Sequence, residues 1–283
     1  MKLVLGTVQF GTDYGINNVS GKVSLEEVES ILRLADSSGI GMLDTSFSYG
    51  DSEIVLGKFT NRDYFNFNIV SKFPQNKGSV EDIFSQSLQR LNCDKLYGYL
   101  IHHFDYYRQN PEIWDSLREL KDLGKVKKIG FSLYTVEELD FLLDRKIQFD
   151  IIQVPYNIFD RQFESYFKEL RQNGIEIHTR SVFMQGLFFK PIETLTGKLL
   201  TLKPYLKTLN AHCEYGPFTV EQLALGYVTG NPYVDGVLIG VDNVAQLKRN
   251  IENLKANITE NEIEFIRSIV IKEKEMLNPT NWK

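Results

Sequence analysis

Short apolar segments alternate with amphipathic segments along almost the whole chain, and each kind occurs eight times. The apolar segments are rich in β-branched residues and predict strands, whereas the intervening segments have the periodicity of helices. We place strands at residues 2–6, 40–44, 67–72, 97–102, 127–132, 150–154, 175–180 and 235–239, and helices at residues 24–38, 52–59, 79–92, 111–124, 135–144, 160–172, 219–229 and 243–254. Eight strand–helix repeats predict an α/β fold, a parallel sheet closed into a (β/α)8 TIM barrel.

Two segments interrupt this repeat. Residues 188–215 are long for a simple loop, and we expect a helix near residues 198–212. Residues 259–276 predict an extra C-terminal helix that begins with the capping pattern Thr259-Glu260-Asn261-Glu262. A barrel of this type commonly has ~250 residues in one domain, so we expect residues 1–283 to form a single domain.

The composition excludes several classes of partner. The net charge is −5 and no basic run occurs, so nucleic acid is not expected to bind. No apolar stretch reaches the ~20 residues that span a bilayer, and the N-terminus lacks the apolar core of a signal peptide. Cys93 and Cys213 show no metal-binding spacing. We therefore expect a cytoplasmic protein without a membrane or metal site, either a monomer or a weak homo-oligomer.

Polar residues stand at the ends of three successive predicted strands. Asp44 ends the second strand and Tyr49 follows it by five residues, Lys72 ends the third strand, and His102 ends the fourth. Catalytic residues of a parallel β/α barrel come from the carboxyl ends of several strands. We therefore expect these four side chains to form one site.

The four side chains suit proton transfer to a carbonyl oxygen. A free tyrosine has a pKa near ~10, and an adjacent ammonium lowers such a pKa. We expect Lys72, held by Asp44, to tune Tyr49 as a proton donor, while His102 positions the carbonyl. Because no side chain delivers a hydride, carbonyl reduction by this set requires a nicotinamide cofactor.

These residues resemble the aldo-keto reductase family, which carries an Asp-Tyr-Lys-His tetrad on a (β/α)8 barrel and uses a nicotinamide cofactor, usually NADPH. The resemblance runs from Gly6-Thr7 to Asn250, through Asp44-Thr45-x3-Tyr49-Gly50-x-Ser52-Glu53, Lys72, His102, Ile129-Gly130-Phe131-Ser132, Gln153-Val154-Pro155-Tyr156-Asn157, Gln185-Gly186-Leu187 and Gly240-x5-Gln246-Leu247-x2-Asn250. It implies an oxidoreductase that acts on an aldehyde or ketone. Family members often begin with a hairpin that plugs the barrel, and we expect this chain to lack it.

The resemblance also implies a cofactor site, with two departures. Ser132 and Gln153 match the residues that bind the nicotinamide carboxamide, but Leu133 replaces the usual Asn. Arg180, followed by Ser181, stands where an aromatic residue usually stacks on the nicotinamide. A guanidinium can stack on an aromatic ring, so Arg180 either keeps this role or faces an anionic substrate group.

The loop after the eighth strand bears on the choice between NADPH and NADH. The resemblance implies cofactor contacts from this loop and from the segment after strand seven, at Gly186, Gly240, Asp242, Asn243, Gln246 and Asn250. The family favours NADPH, but Asp242 would repel a 2′-phosphate and could accept bonds from free ribose hydroxyls. Lys248 and Arg249 would restore phosphate binding if they face it, so the choice stays open. Asn243 is also a candidate cap of the following helix.

The substrate is expected to be a small carbonyl compound, plausibly a sugar or sugar derivative. The candidate lining residues are Tyr14, Phe47, His103, Phe183 and Trp282. Two other functions remain open: a nicotinamide-binding regulatory subunit with negligible turnover, and a lyase or epimerase without net redox chemistry. Leu133 and Arg180 motivate the second.

Overall fold

Eight parallel strands close into one barrel in chain order, and the last strand pairs with the first. The computed structural model describes residues 2–18, 21–60, 65–75 and 78–282. The strands are β1 Leu3–Gly6, β2 Met42–Asp44, β3 Asn68–Phe73, β4 Leu96–Ile101, β5 Val126–Ser132, β6 Ile151–Pro155, β7 Glu176–Arg180 and β8 Gly236–Gly240. The predicted α/β barrel is therefore confirmed.

Helices cover the outside of the barrel. They are α1 Val8–Gly11, α2 Leu25–Ser37, α3 Ser52–Gly57, α4 Val80–Leu91, α5 Phe104–Gln109, α6 Ile113–Asp122, α7 Val136–Asp144, α8 Phe167–Gln172, α9 Lys203–Tyr215, α10 Val220–Gly230, α11 Val244–Asn253 and α12 Glu260–Ser268. Short 3-10 turns lie at Glu164–Tyr166, Met184–Phe189, Ile192–Thr194, Gly197–Leu202, Lys274–Leu277 and Pro279–Trp282. The main apolar core lies between the helices and the strands, and a smaller cluster of Val70, Leu100 and Ile151 forms a second one.

Side-chain caps set several helix starts. Ser24 and Ser79 accept hydrogen bonds from the backbone of α2 and α4, and Thr219 and Gln222 form a reciprocal capping box at α10. Asn92 ends α4 in the left-handed conformation, a frequent helix stop. The local sequence therefore fixes where these helices begin and end.

Most predicted helices differ from the structure by a few residues at their ends, but two are much shorter than expected. The one expected at residues 160–172 becomes a 3-10 turn followed by α8, because the Asn157 side chain accepts bonds from the backbone of Phe159 and Asp160 and holds a turn there. The C-terminal helix ends at Ser268, where Arg161 donates to the carbonyl groups of Ile266 and Ile269. Helix α5 was not expected from the sequence.

Strand register brings distant residues to one end of the barrel. Asp44 pairs with Gly6 across β1 and β2, and Gly6 in turn pairs with Gly240 of β8. Ser132 pairs with Gln153 across β5 and β6. All of these residues lie at or near the carboxyl ends of their strands, which is the face on which barrel enzymes carry their sites.

Candidate active site

A buried ion pair forms the floor of the site. The Lys72 ammonium donates to Asp44 Oδ1 at 2.5 Å and to the carbonyl oxygen of Thr45 at 2.8 Å. Lys72 has no exposed side-chain surface, and that of Asp44 is 3% exposed. The Gln153 amide donates to the other carboxylate oxygen at 2.7 Å. Both oxygens of Asp44 are thus bonded, as a buried charge requires.

Tyr49 lies in the loop between β2 and α3, above this pair. The Lys72 nitrogen is 5.1 Å from the centre of the Tyr49 ring. The loop is packed tightly, because a Cβ atom at Gly11 would lie 1.8 Å from the Tyr49 carbonyl oxygen. Ser52 ties the loop to the segment directly after β1, because its hydroxyl donates to the Thr7 carbonyl oxygen. The position of the phenol is therefore fixed by neighbouring backbone.

His102 follows β4 directly and faces Tyr49. The two rings are 5.6 Å apart between centroids and meet edge to face. His102 Nδ1 lies 3.1 Å from Ser46 Oγ, which also accepts a bond from the Ser48 backbone nitrogen. The four residues expected to form one site, Asp44, Tyr49, Lys72 and His102, are thus brought together by the fold.

Burial dominates the electrostatics of these groups. It raises the pKa of Tyr49, and the negative charge of Asp44 adds to this effect while Arg180 opposes it. It lowers the pKa of Lys72 against the influence of Asp44, and it lowers the pKa of His102 well below the ordinary value. The pKa of Tyr49 therefore shifts in the direction opposite to the one expected from its lysine neighbour, because burial of the phenol, reinforced by the Asp44 charge, outweighs that neighbour. Tyr49 stays protonated and His102 stays neutral at physiological pH.

The tetrad opens into a cavity of ≈ 500 Å³. Residues from the loop after β1, the ends of β5 to β8, the segment after β7, helix α11 and residues 278–280 line it. Asp44, Tyr49 and His102 are part of the lining. One cavity thus joins Asp44, Tyr49 and His102 to the loop after β8, with Lys72 buried beneath it.

Arg180 projects from the end of β7 into the same cavity. Its guanidinium carbon lies 4.0 Å from the centre of the Tyr134 ring, a cation–π contact. Arg180 Nη2 donates to the Leu133 carbonyl oxygen at 3.0 Å, and the Leu133 side chain is fully buried in the core. Leu133 therefore contributes a backbone acceptor where the family pattern has a polar side chain.

Comparison with known proteins decides the family. The sequence model described as "Aldo/keto reductase family" matches residues 2–271. The chain belongs to this family. It is an NAD(P)H-dependent aldo-keto reductase, an oxidoreductase that acts on carbonyl compounds.

Similar proteins agree with this membership. The chain is 26% identical to aldo-keto reductase YhdN of Bacillus subtilis, over 86% of this chain and 80% of that protein. It is 25% identical to L-galactose dehydrogenase of Arabidopsis thaliana, over 88% of this chain and 84% of that protein. The solved holo form of aldo-keto reductase AKR11C1 from Bacillus halodurans matches this chain with a TM-score of 0.77 at 22% sequence identity. The match covers 96% of this chain and 94% of that chain, and it shows a shared fold.

The residues expected to hold the cofactor of this aldo-keto reductase mostly line the cavity. Those that do are Ser132, Gln153, Arg180, Ser181, Gly186, Gly240, Asp242, Gln246 and Asn250. Asn243 lies outside the lining and caps α11 by accepting a bond from the Gln246 backbone nitrogen. Arg249 lines the cavity, whereas Lys248 does not.

Two orphaned atoms show that this cavity fits a polar ligand. Gln9 Oε1 and Asp242 Oδ1 are buried without a hydrogen-bond partner in the described part of the chain, and both residues line the cavity. Gly240 leaves room for Gln9, since a Cβ atom there would lie 2.5 Å from the Gln9 amide nitrogen. Unpaired buried acceptors are costly, and the hydroxyl groups of a dinucleotide could supply the missing donors.

The expected substrate residues divide into two groups. Tyr14 and Phe183 line the cavity. Phe47, His103 and Trp282 do not: Arg90 stacks on the Phe47 ring at 3.8 Å, His103 precedes α5, and the Trp282 indole donates to the Met276 carbonyl oxygen. A substrate role for these three residues remains a prediction from the sequence.

Several lining residues were missed from the sequence. They include Gln9, Asn17, Tyr134, Asn278 and Thr280. Asn17 donates to the Gly186 carbonyl oxygen at 2.6 Å, and the Ile16 backbone nitrogen donates to the Gln185 carbonyl oxygen at 3.2 Å, so the first loop docks on the segment after β7. The Gly- and Asn-rich composition of residues 11–21 was the only sequence signal for this loop.

Neither a metal centre nor a membrane span was found in the part of the chain that the structure describes. No group of three or more His, Cys, Asp or Glu side chains there could hold a metal ion. None of the helices there is long and apolar enough to cross a membrane.

Proposed function

We propose that this aldo-keto reductase reduces an aldehyde or ketone with Tyr49 as the proton donor, and that its substrate is a sugar or sugar derivative. The buried Lys72–Asp44 pair beneath Tyr49, at the end of a cavity, carries the proposal. An ion pair without exposed surface is costly to bury, and its place under a phenol suits proton transfer. The similarity to L-galactose dehydrogenase supports a sugar as substrate.

The tetrad acts on the carbonyl oxygen. Tyr49 holds its proton because its pKa is raised, and it donates this proton as negative charge develops on the oxygen. The Lys72 ammonium, held by Asp44, then stabilises the phenolate electrostatically. In the reverse direction the Tyr49 phenolate accepts the alcohol proton.

His102 orients the carbonyl as a neutral donor. The Ser46 hydroxyl can donate to Nδ1 of the ring, and this bond places the imidazole proton on Nε2. Nε2–H then hydrogen-bonds the carbonyl oxygen beside the Tyr49 hydroxyl. When bound, the nicotinamide cofactor supplies the hydride, and Ser132, Gln153, Ser181 and Asn250 are the residues of this chain that would hold it.

Replacement of Tyr49 tests the assignment of the acid. Tyr49→Phe should lower kcat for carbonyl reduction by about 10²-fold or more, because general acid catalysis contributes on that scale. Cofactor affinity should remain near that of the wild type. Tyr215→Phe is the matched control, since Tyr215 is 86% exposed. Activity of Tyr49→Phe within a few-fold of the wild type would show that another group donates the proton.

We propose further that NADH binds more tightly than NADPH. Asp242 is tied to Gln246 by two hydrogen bonds, and its Oδ1 remains available to accept from ribose hydroxyls. Arg249, the basic residue that could attract a 2′-phosphate, lies 3.9 Å from the Glu221 carboxylate, which offsets its charge. Negative charge near the ribose disfavours a phosphate on that sugar.

Charge reversal tests this preference. Asp242→Arg should shift the ratio of the NADPH and NADH dissociation constants by about tenfold or more towards NADPH. Asp122→Arg, on the exposed end of α6, makes the same charge change far from the cavity and should leave the ratio unchanged. An unchanged ratio in Asp242→Arg would remove this loop from the choice of cofactor. Oligomeric state and cytoplasmic location remain predictions from the sequence.

A further inference from the structure

We infer that the carbonyl substrate carries an anionic group, a carboxylate or a phosphate, that pairs with Arg180. The inference rests on the proposed reductase function and names the substrate class of that site. A carboxylate and a phosphate both present anionic oxygens, in a planar and a tetrahedral arrangement respectively. A guanidinium binds either group with two parallel hydrogen bonds.

Arg180 keeps N–H donors that its hydrogen bonds to the described residues do not use. A guanidinium has five N–H donors, and Arg180 uses Nη2 on the Leu133 carbonyl oxygen and Nη1 on Ser181 Oγ at 3.4 Å. Nε has no hydrogen-bond partner among the residues that the structure describes. Tyr134 covers one face of the group at 4.0 Å. The side chain is thus held in place while part of its hydrogen-bonding capacity remains free.

The charge of Arg180 also lacks an ion-pair partner. Among the described residues no carboxylate oxygen lies within 4.0 Å of its nitrogens. Two acids act on it at longer range: Glu138, which accepts from the Tyr134 backbone nitrogen, and Asp160, which accepts from Gln162. Burial raises the pKa of both acids, that of Asp160 to about 6, and neither forms an ion pair with the guanidinium among the described residues.

Among the described residues, the other basic side chains in or directly beneath the cavity, Lys72 and Arg249, each lie near a carboxylate. Lys72 is neutralised by Asp44 at the floor, and Arg249 lies near Glu221 at the far end. Arg180 therefore places a net positive charge at the catalytic end, close enough to lower the pKa of His102. A partly buried cation without a counterion is unfavourable, and an anionic substrate would supply the counterion beside the reacting carbonyl.

Matched pairs of carbonyl compounds test this inference. The first pair is 4-carboxybenzaldehyde and methyl 4-formylbenzoate, and the second is glyceraldehyde 3-phosphate and glyceraldehyde. Wild-type enzyme should show a higher kcat/KM for the anionic member of at least one pair. A preference in one pair alone identifies the anion as carboxylate or phosphate. Equal or better use of both neutral members would overturn the inference.

Variants assign the preference to Arg180. Arg180→Gln should reduce the ratio of anionic to neutral kcat/KM by about 10- to 100-fold, mainly through KM for the anion, and Arg180→Lys should retain part of it. Arg118→Gln removes one positive charge from the exposed face of α6 and should leave the ratio unchanged. An equal loss for both members in Arg180→Gln, with weaker cofactor binding, would instead assign Arg180 to nicotinamide stacking.

A binding measurement separates this inference from the reductase function. Calorimetric titration of the wild-type protein with benzoate and with inorganic phosphate should show binding of one anion that is lost in Arg180→Gln. If no carbonyl compound is reduced but this binding is found, the reductase function fails and the anion site stands. If neutral carbonyls are reduced and neither anion binds, the anion site fails and the reductase function stands.

Discussion

The Lys72–Asp44 pair permits a quantitative test of how the site is built. Asp44→Asn keeps the shape of the side chain and one oxygen acceptor but removes the negative charge. The Lys72 ammonium, which has no exposed surface, would then retain only the Thr45 carbonyl oxygen at 2.8 Å and the new amide as acceptors. The substitution therefore leaves a buried cation without a counterion.

The expected cost follows from this geometry. Removing one partner of a buried ion pair lowers the free energy of unfolding by about 3–5 kcal/mol. Because two acceptors for the Lys72 ammonium remain in Asp44→Asn, we expect a loss near the lower end, about 3 kcal/mol. Lys72 can limit this loss by releasing its proton, since burial already lowers its pKa. The unfolded chain then binds more protons than the folded one, so the loss is largest near neutral pH and shrinks as pH rises towards ~10.

Urea denaturation at neutral pH measures this loss, and a double-mutant cycle assigns it. Lys72→Met and the double variant Asp44→Asn/Lys72→Met complete the cycle. Because the double variant has no charge at these two buried positions, it should be more stable than Asp44→Asn alone. A loss below about 1 kcal/mol in Asp44→Asn, or a double variant no more stable than that single variant, would refute the reasoning.

Two further predictions concern other titratable groups. Burial alone would raise the pKa of Glu176, but bonds from His178, Lys128 and Tyr97 together lower it to about 2. Glu176→Gln should therefore cost on the order of 3 kcal/mol of stability at neutral pH, a difference that fades as pH falls from ~4 towards ~2, as denaturation at several pH values would show. Because the pKa of His102 is lowered, titration of this residue should not change kcat/KM for reduction between about pH 6 and pH 9. A change of kcat/KM with pH in this range that disappears in His102→Gln would contradict this prediction.

The sequence predicts those parts of the site that depend on strand register. Asp44 and Lys72 lie at or beside strand ends, and the carboxyl ends of parallel strands meet on one face. Their convergence follows from the strand pattern alone. The loop after β8 is predictable for the same reason, since β8 must pair with β1 to close the barrel.

Side-chain direction in loops could not be predicted in this way. Phe47 precedes Tyr49 by two residues, yet Arg90 of α4 stacks on it and it lies outside the cavity lining. The contact of Arg180 with Tyr134 likewise joins two segments whose packing no sequence spacing encodes. The expected effect of Lys72 on the pKa of Tyr49 was reversed because burial outweighs it. That residues 1–283 form one domain remains a prediction.

Rapid mixing of cofactor-loaded enzyme with saturating aldehyde tests the central claim most directly. The absorbance of the reduced nicotinamide reports hydride transfer in a single turnover. We predict that wild-type enzyme loaded with NADH oxidises one equivalent of cofactor, and that Tyr49→Phe binds NADH but oxidises it at least about 10²-fold more slowly. Binding of NADH or NADPH without oxidation by any aldehyde would contradict carbonyl reduction and favour a regulatory subunit, and failure to bind either cofactor would favour a lyase or epimerase.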